Sequence, residues 1–190
     1  MKTSQTILLA LIFFITVNTL YAQTEAEQKV WMEYMTPGPE HEQLAKCDGE
    51  WSEEVTFWMD PTAEPMKMKS VCINKMILGG RYQYSTHTGT MMGMPFEGIS
   101  IVGFDNAKKV YQSSWIDNMG TGVMNLSGPL DESTKSVILT GTSFDPQTGK
   151  DVQVREVFKI IDDKTQSMEM YMIKDGKEMK SMEITFKRTK

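Results

Sequence analysis

Four phrases decide the fold: Asn74-Lys75-Met76-Ile77-Leu78-Gly79-Gly80-Arg81-Tyr82, Met91-Met92-Gly93-Met94-Pro95-Phe96-Glu97-Gly98-Ile99, Val102-Gly103-Phe104-Asp105-Asn106 and Ser114-Trp115-Ile116-Asp117-Asn118-Met119-Gly120-Thr121-Gly122. Strand-like runs alternate there with Gly, Asp and Asn turns, and ionisable or aromatic residues recur at the run ends. Glycine enters positive φ freely, so Gly79-Gly80 reads as a tight turn. Short connections of this kind join neighbouring antiparallel strands, whereas a Greek key needs long returns. The stretch therefore predicts a meander.

Outward from it the same grammar continues. From Gly49 the period is two: Trp51, Val55, Phe57 and Met59 alternate with Ser52, Glu54, Thr56 and Trp58. Asp60-Pro61-Thr62 turns the chain into a strand over Pro65–Leu78, with Met66, Met68, Ser70 and Cys72 on one side. Further strands are predicted over Arg81–Gly89, Phe96–Phe104, Val110–Asp117, Gly122–Gly128, Val137–Phe144, Val152–Ile161, Ser167–Ile173 and Glu178–Arg188. Asp145-Pro146-Gln147-Thr148-Gly149-Lys150 and Asp175-Gly176 carry hairpin chemistry. About ten strands at this spacing suit a single closed antiparallel meander barrel, all-β and lipocalin-like, with a two-sheet sandwich as the alternative. Glu40–Lys46, after Pro37-Gly38-Pro39, has the composition of a short N-terminal helix.

Residues 1–22 read as a signal peptide: Lys2, an apolar run from Ile7 to Val17, and Leu20-Tyr21-Ala22 before Gln23. The run is shorter than the roughly 20 apolar residues that cross a bilayer. The sequence thus divides into a signal over 1–22, an N-terminal segment with a short helix over 23–48, and a barrel domain over 49–190. Export to the periplasm or outside the cell is expected, with no integral membrane span after signal removal. Loss of the signal takes away Lys2 and no acid, leaving 19 basic residues against 25 acidic ones, a net charge of −6. Scattered basic residues on an acidic domain argue against nucleic-acid binding. Oligomeric state is left open.

At these residues the chain resembles the bacterial domain-of-unknown-function family 1579, a lipocalin-like group. The resemblance runs from Pro37-Gly38-Pro39-Glu40-His41 through Gly49-Glu50-Trp51, Met76–Arg81, Met92–Gly98 and Trp115–Gly122 to Met182-Glu183-Ile184-Thr185-Phe186. It implies a closed barrel and implies no reaction, since fold analogy supplies none.

A barrel of this size holds a small ligand or fills itself with side chains. The expected function is binding of a small apolar or amphipathic molecule, with ligand-binding candidates Arg81, Glu97, Trp115, Asp117, Trp51 and Tyr171. Arg81, Glu97, Trp115 and Asp117 sit at or near strand ends and would form a rim where Arg81 clamps a carboxylate or phosphate. Alternatively, Arg81 pairs with Glu97 or Asp117 and merely fixes the mouth. Trp51, Phe57, Trp115, Tyr171 and several methionines would line the interior. A filled barrel with a structural or partner-binding role is the rival.

Two enzymatic or metal readings are weighed beside these. Glu97 with Asp117, or Glu156 with Glu183, could act as a carboxylate pair of a hydrolase. The chain has no G-x-S-x-G, no H-E-x-x-H and no sequence-visible Cys–His nucleophile pair, so no catalytic residue is assigned. Seventeen methionines, among them Met66, Met68, Met91, Met92, Met94, Met168, Met170 and Met172, could serve Cu(I) in an oxidising compartment, or simply provide an adaptable apolar cavity. Cys47 and Cys72 permit a disulfide or two buried thiols, and neither clusters with His41 or His87 in sequence as a zinc site would. His87 as a haem ligand lacks the C-x-x-C-H motif. No metal and no cofactor is assigned.

Overall fold

The computed structural model describes residues 24–59, 63–174 and 176–190. The proposed signal peptide, the Asp60-Pro61-Thr62 turn and Asp175 lie outside the described residues. The chain divides at Thr36–Pro37 into two units. In the first, helix α1 covers Glu25–Met35, opened by a capping box in which Thr24 and Glu27 bond each other's backbone N–H.

The second unit is a closed ten-stranded antiparallel barrel with one extra short strand and a short leading helix. Helix α2 (Pro39–Ala45) precedes β1 (Gly49–Phe57), β2 (Met66–Ile77), β3 (Tyr82–Met91), β4 (Met94–Asp105), β5 (Val110–Asp117), β6 (Met124–Gly128), β7 (Leu130–Asp131), β8 (Ser136–Asp145), β9 (Lys150–Asp162), β10 (Thr165–Lys174) and β11 (Lys177–Arg188). The order is β6-β5-β4-β3-β2-β1-β11-β10-β9-β8-β7, and pairing of β6 with β8 closes the barrel. Closure leaves no unpaired edge between those strands. The seam is tight: a Cβ on Gly128 would lie 1.9 Å from the Ile138 carbonyl oxygen, so only glycine lets β6 approach β8 there. The two-residue strand β7 is the extra one, and nothing in its Leu130-Asp131 sequence announces it.

Alternation decides which side chains face inward. On β1 they are Trp51, Glu53, Val55 and Phe57, on β2 Met68, Ser70, Cys72 and Asn74, and on β10 Gln166, Met168, Met170 and Met172. The phase breaks once in β11, where an irregularity beside Met170/Tyr171 inserts Ser181 between the partners Lys180 and Met182. Ser181 Oγ donates to the Met170 carbonyl, which satisfies the bulge.

Helix α2 packs at one end of the barrel. His41 contacts Phe104 edge-on, Gln83 Nε2 donates to the Leu44 carbonyl at 2.7 Å, and Leu44 is buried. Trp51, fully buried, donates from Nε1 to the Cys47 carbonyl at 2.9 Å, and the Arg188 guanidinium lies 4.2 Å from its ring centre. The hairpin loops after β3, β5 and β8 gather at the other rim, the mouth, where the inward-facing Phe57, Met66, Met91 and Phe96 are only partly buried. Among the described residues, no helix is long and apolar enough to cross a membrane.

Candidate functional site in the barrel lumen

The wall built by β1, β2, β3 and β5 carries a buried polar cluster. Trp51, Cys72, His87 and Gly98 are successive partners across β1 to β4, and Glu53 lies two residues along β1 on the same face. His87 Nδ1 donates to Glu53 Oε1 at 2.8 Å, and Ser70 Oγ donates to Glu53 Oε2 at 2.5 Å. Cys72 Sγ stands 3.9 Å from His87 Nε2 and donates to Asn74 Oδ1 at 3.0 Å. Glu53 is only 2% exposed. Burial, with the neighbouring Glu53 charge, holds the Cys72 thiol far above its usual range. Trp115 covers the cluster edge-on to His87 at 5.0 Å and stacks on Phe96 at 6.4 Å. A Cβ on Gly98 would stand 2.5 Å from the Trp115 ring, so glycine there is what seats the indole. Asp117 Oδ2 accepts from Trp115 Nε1 at 2.7 Å and fixes its tilt.

The opposite wall is mostly apolar. Across β8 to β11 and into β1, Leu139, Glu156, Met170, Met182 and Phe57 are successive partners. Glu156 is the one ionisable group in that row. Burial pushes its carboxyl from the ordinary 4.5 up to about 7, with no charged partner contributing. Yet it retains accessible surface.

The rim expected from Arg81, Glu97, Trp115 and Asp117 does not assemble. Adjacent antiparallel strands begin at opposite rims, so Arg81, just before β3, lies at the α2 end, whereas Glu97 and Asp117 lie toward the mouth. Arg81 Nη1 donates to the Leu78 carbonyl of its own turn and is exposed. Arg81→Ala is accordingly expected to shift the unfolding free energy by less than about 1 kcal/mol, measured by urea denaturation. Glu97 points outward, since Gly98 is the inward position. It borders a cleft of about 340 Å3 lined by Thr86, Ile99 and Ile116 and also by His87, Gly98 and Asp117. Trp115 and Asp117 do face the lumen. Trp51 is walled into the α2 end. Tyr171 faces outward, because the methionines either side of it face inward: Arg155 covers its ring at 4.2 Å and its hydroxyl donates to Glu169.

Neither carboxylate pair converges. Asp117 is inside and Glu97 outside, while Glu156 is inside and Glu183 outside, paired with Lys180. Cys47 and Cys72 are free, buried thiols. Met91 and Met94 are cross-strand partners in the β3–β4 hairpin, and Met92 is 69% and Met94 48% exposed. Sequence reasoning missed Glu53, although its phase with Trp51 and Val55 marks it as an acid on a buried face.

The family model described as "Protein of unknown function (DUF1579)" matches residues 36–188, and the chain belongs to that family. Among solved structures, the chain is similar to the crystal structure of Rv2717c from M. tuberculosis, with a TM-score of 0.61 and 14% identity over 82% of this chain and 100% of that one. A redesigned beta barrel aligns with a TM-score of 0.43 and 11% identity over 77% of this chain and 95% of that one. No curated protein matches the chain.

Proposed function

We propose that this DUF1579 barrel is exported and binds a small amphipathic molecule in its lumen, the apolar body against Met168, Met170, Met172, Met182 and Phe158 and a hydrogen-bond-donating or cationic head at Glu156. The observation that carries the reading is Glu156 itself: a carboxyl on the inner face, partnered by Leu139 and Met170 and raised to about 7 by burial alone. An ionisable group so placed destabilises the empty protein and gains a partner when a donor head arrives. Methionine suits such a wall because its flexible thioether adapts to ligands of different shape.

The test is displacement of an environment-sensitive fluorescent probe by a long-chain amine and by the carboxylate of equal chain length. The amine is expected to bind more tightly as pH rises through about 7, because Glu156 ionises, and the carboxylate more weakly. Glu156→Gln is expected to abolish both slopes, while Arg81→Ala leaves them intact. Equal affinity of amine and carboxylate across that range in the wild-type protein rejects the assignment of the head to Glu156.

A second reading has its own observation. Ile73, Thr86, Ile99 and Ile116 are successive outward-facing partners across β2 to β5, and Ile73 and Ile116 are 51% and 42% exposed. An apolar row of this kind on the outer face supports a partner-docking role. Ile73→Lys would then break an association visible by sedimentation without touching ligand binding.

A further inference from the structure

We infer that Glu53, Cys72 and His87 form a binding site for a divalent first-row transition-metal ion of the Zn2+ type. Three adjacent strands each place one donor on the same inner face: a carboxylate from β1, a thiol from β2 and an imidazole from β3. One donor atom from each lies within 4.8 Å of the other two, and all three residues are buried. The separation of 3.9 Å between Cys72 Sγ and His87 Nε2 is close to the edge of a zinc tetrahedron. Bond lengths of about 2.3 Å to sulfur and 2.0–2.1 Å to nitrogen give an edge of about 3.6 Å. A shift of a few tenths of an ångström brings both donors onto one ion.

The donor set also selects the metal. Thiolate with imidazole favours a borderline-soft ion and disfavours Mg2+ or Ca2+, which take oxygen. Charge argues the same way. Among the described residues, His87 is the sole ion-pair partner of Glu53, which is 2% exposed. A buried carboxylate beside a thiol that becomes a thiolate places two negative charges in the barrel wall, and a dication compensates them. Binding releases the Cys72 proton to solvent and exchanges the His87–Glu53 and Cys72–Asn74 hydrogen bonds for coordination. Asn74, freed at Oδ1, still donates from Nδ2 to the Cys47 carbonyl and keeps the wall in place. Three protein donors leave a fourth position for water or for a ligand in the lumen.

The experiment is titration of chelator-treated full-length mature protein with Co2+ under reducing conditions, read by absorbance. One equivalent is expected to produce a thiolate-to-cobalt charge-transfer band together with visible tetrahedral d–d bands, both bleached by one equivalent of Zn2+. Cys72→Ser is expected to remove the charge-transfer band, and Cys47→Ser to keep it. Should Cys72→Ser fail to fold, Glu53→Gln serves instead, with at least tenfold weaker Co2+ affinity and retained far-ultraviolet dichroism expected. A second readout is a rise in melting temperature of the wild-type protein with Zn2+ that is absent in His87→Gln. Absence of a charge-transfer band in the folded wild-type protein, or a band that survives Cys72→Ser, overturns the site and leaves the cluster a hydrogen-bonded network only.

Discussion

Glu156→Gln is expected to stabilise the ligand-free protein by about 3 kcal/mol at pH 8 and by little at pH 4.5. The folded-state pKa of Glu156 is raised, from 4.5 to about 7. The folded protein therefore holds this proton more tightly than the unfolded chain does between those values. Stability contributed by the protonated form is fully present below about 4.5 and is lost as pH rises toward 7 and beyond. Glutamine keeps the shape and cannot ionise, so the variant lacks this slope. Urea unfolding of both proteins at pH 4.5, 6 and 8, after lipid and amine extraction, reads the difference directly. Equal midpoints at pH 8 would mean that Glu156 is hydrated like a surface carboxylate and that the lumen beside it holds bulk water.

Trp51→Ala is expected to cost about 4 kcal/mol. The indole is wholly buried at the α2 end. Its loss leaves a cavity, removes one of two donors on the Cys47 carbonyl, and strips the Arg188 guanidinium of the ring beneath it. Trp51→Phe retains most of the packing and loses the N–H donor, so about 1–2 kcal/mol is expected there. The ratio of the two penalties separates volume from hydrogen bonding. A cost below about 1 kcal/mol for the alanine variant would show that Trp51 is not the plug of that end.

The strands were legible because each one alternates and each turn carries Gly, Asp or Asn. Val110–Asp117 is matched residue for residue, and most other ends differ by one to three positions. Helix α2 begins one residue before the predicted Glu40, since Pro39 fits the first helical turn. Facing was less legible. Aromatic character groups Tyr171 with the interior residues, whereas Met168, Met170 and Met172 occupy the inward phase of that strand. Position near a strand start groups Arg81 with Glu97, whereas the starts of consecutive antiparallel strands lie at opposite rims. Both follow from alternation, applied one strand at a time.

The proximity of Cys72 and His87 needed the register of β2 against β3. That register is set by the four residues Leu78 to Arg81 between the partners Ile77 and Tyr82, and each step back from the turn pairs the next residues until Cys72 meets His87. A turn one residue longer would separate them. Glu156 is harder to read, because a glutamate between Arg155 and Val157 looks like a solvated residue until the inward phase of Val152 and Val154 is extended to it.

The most direct test of the lumen-binding account is a 13C-methyl methionine spectrum of the ligand-stripped protein during titration with a long-chain amine at pH 8. Met168, Met170, Met172 and Met182 face the lumen, whereas Met92 is exposed on the hairpin turn and serves as the internal control. The account predicts saturable shifts confined to the lumen-facing methyls, weakened in Glu156→Gln. Shifts at Met92 alone, or no saturable shift at any lumen methyl, would contradict it.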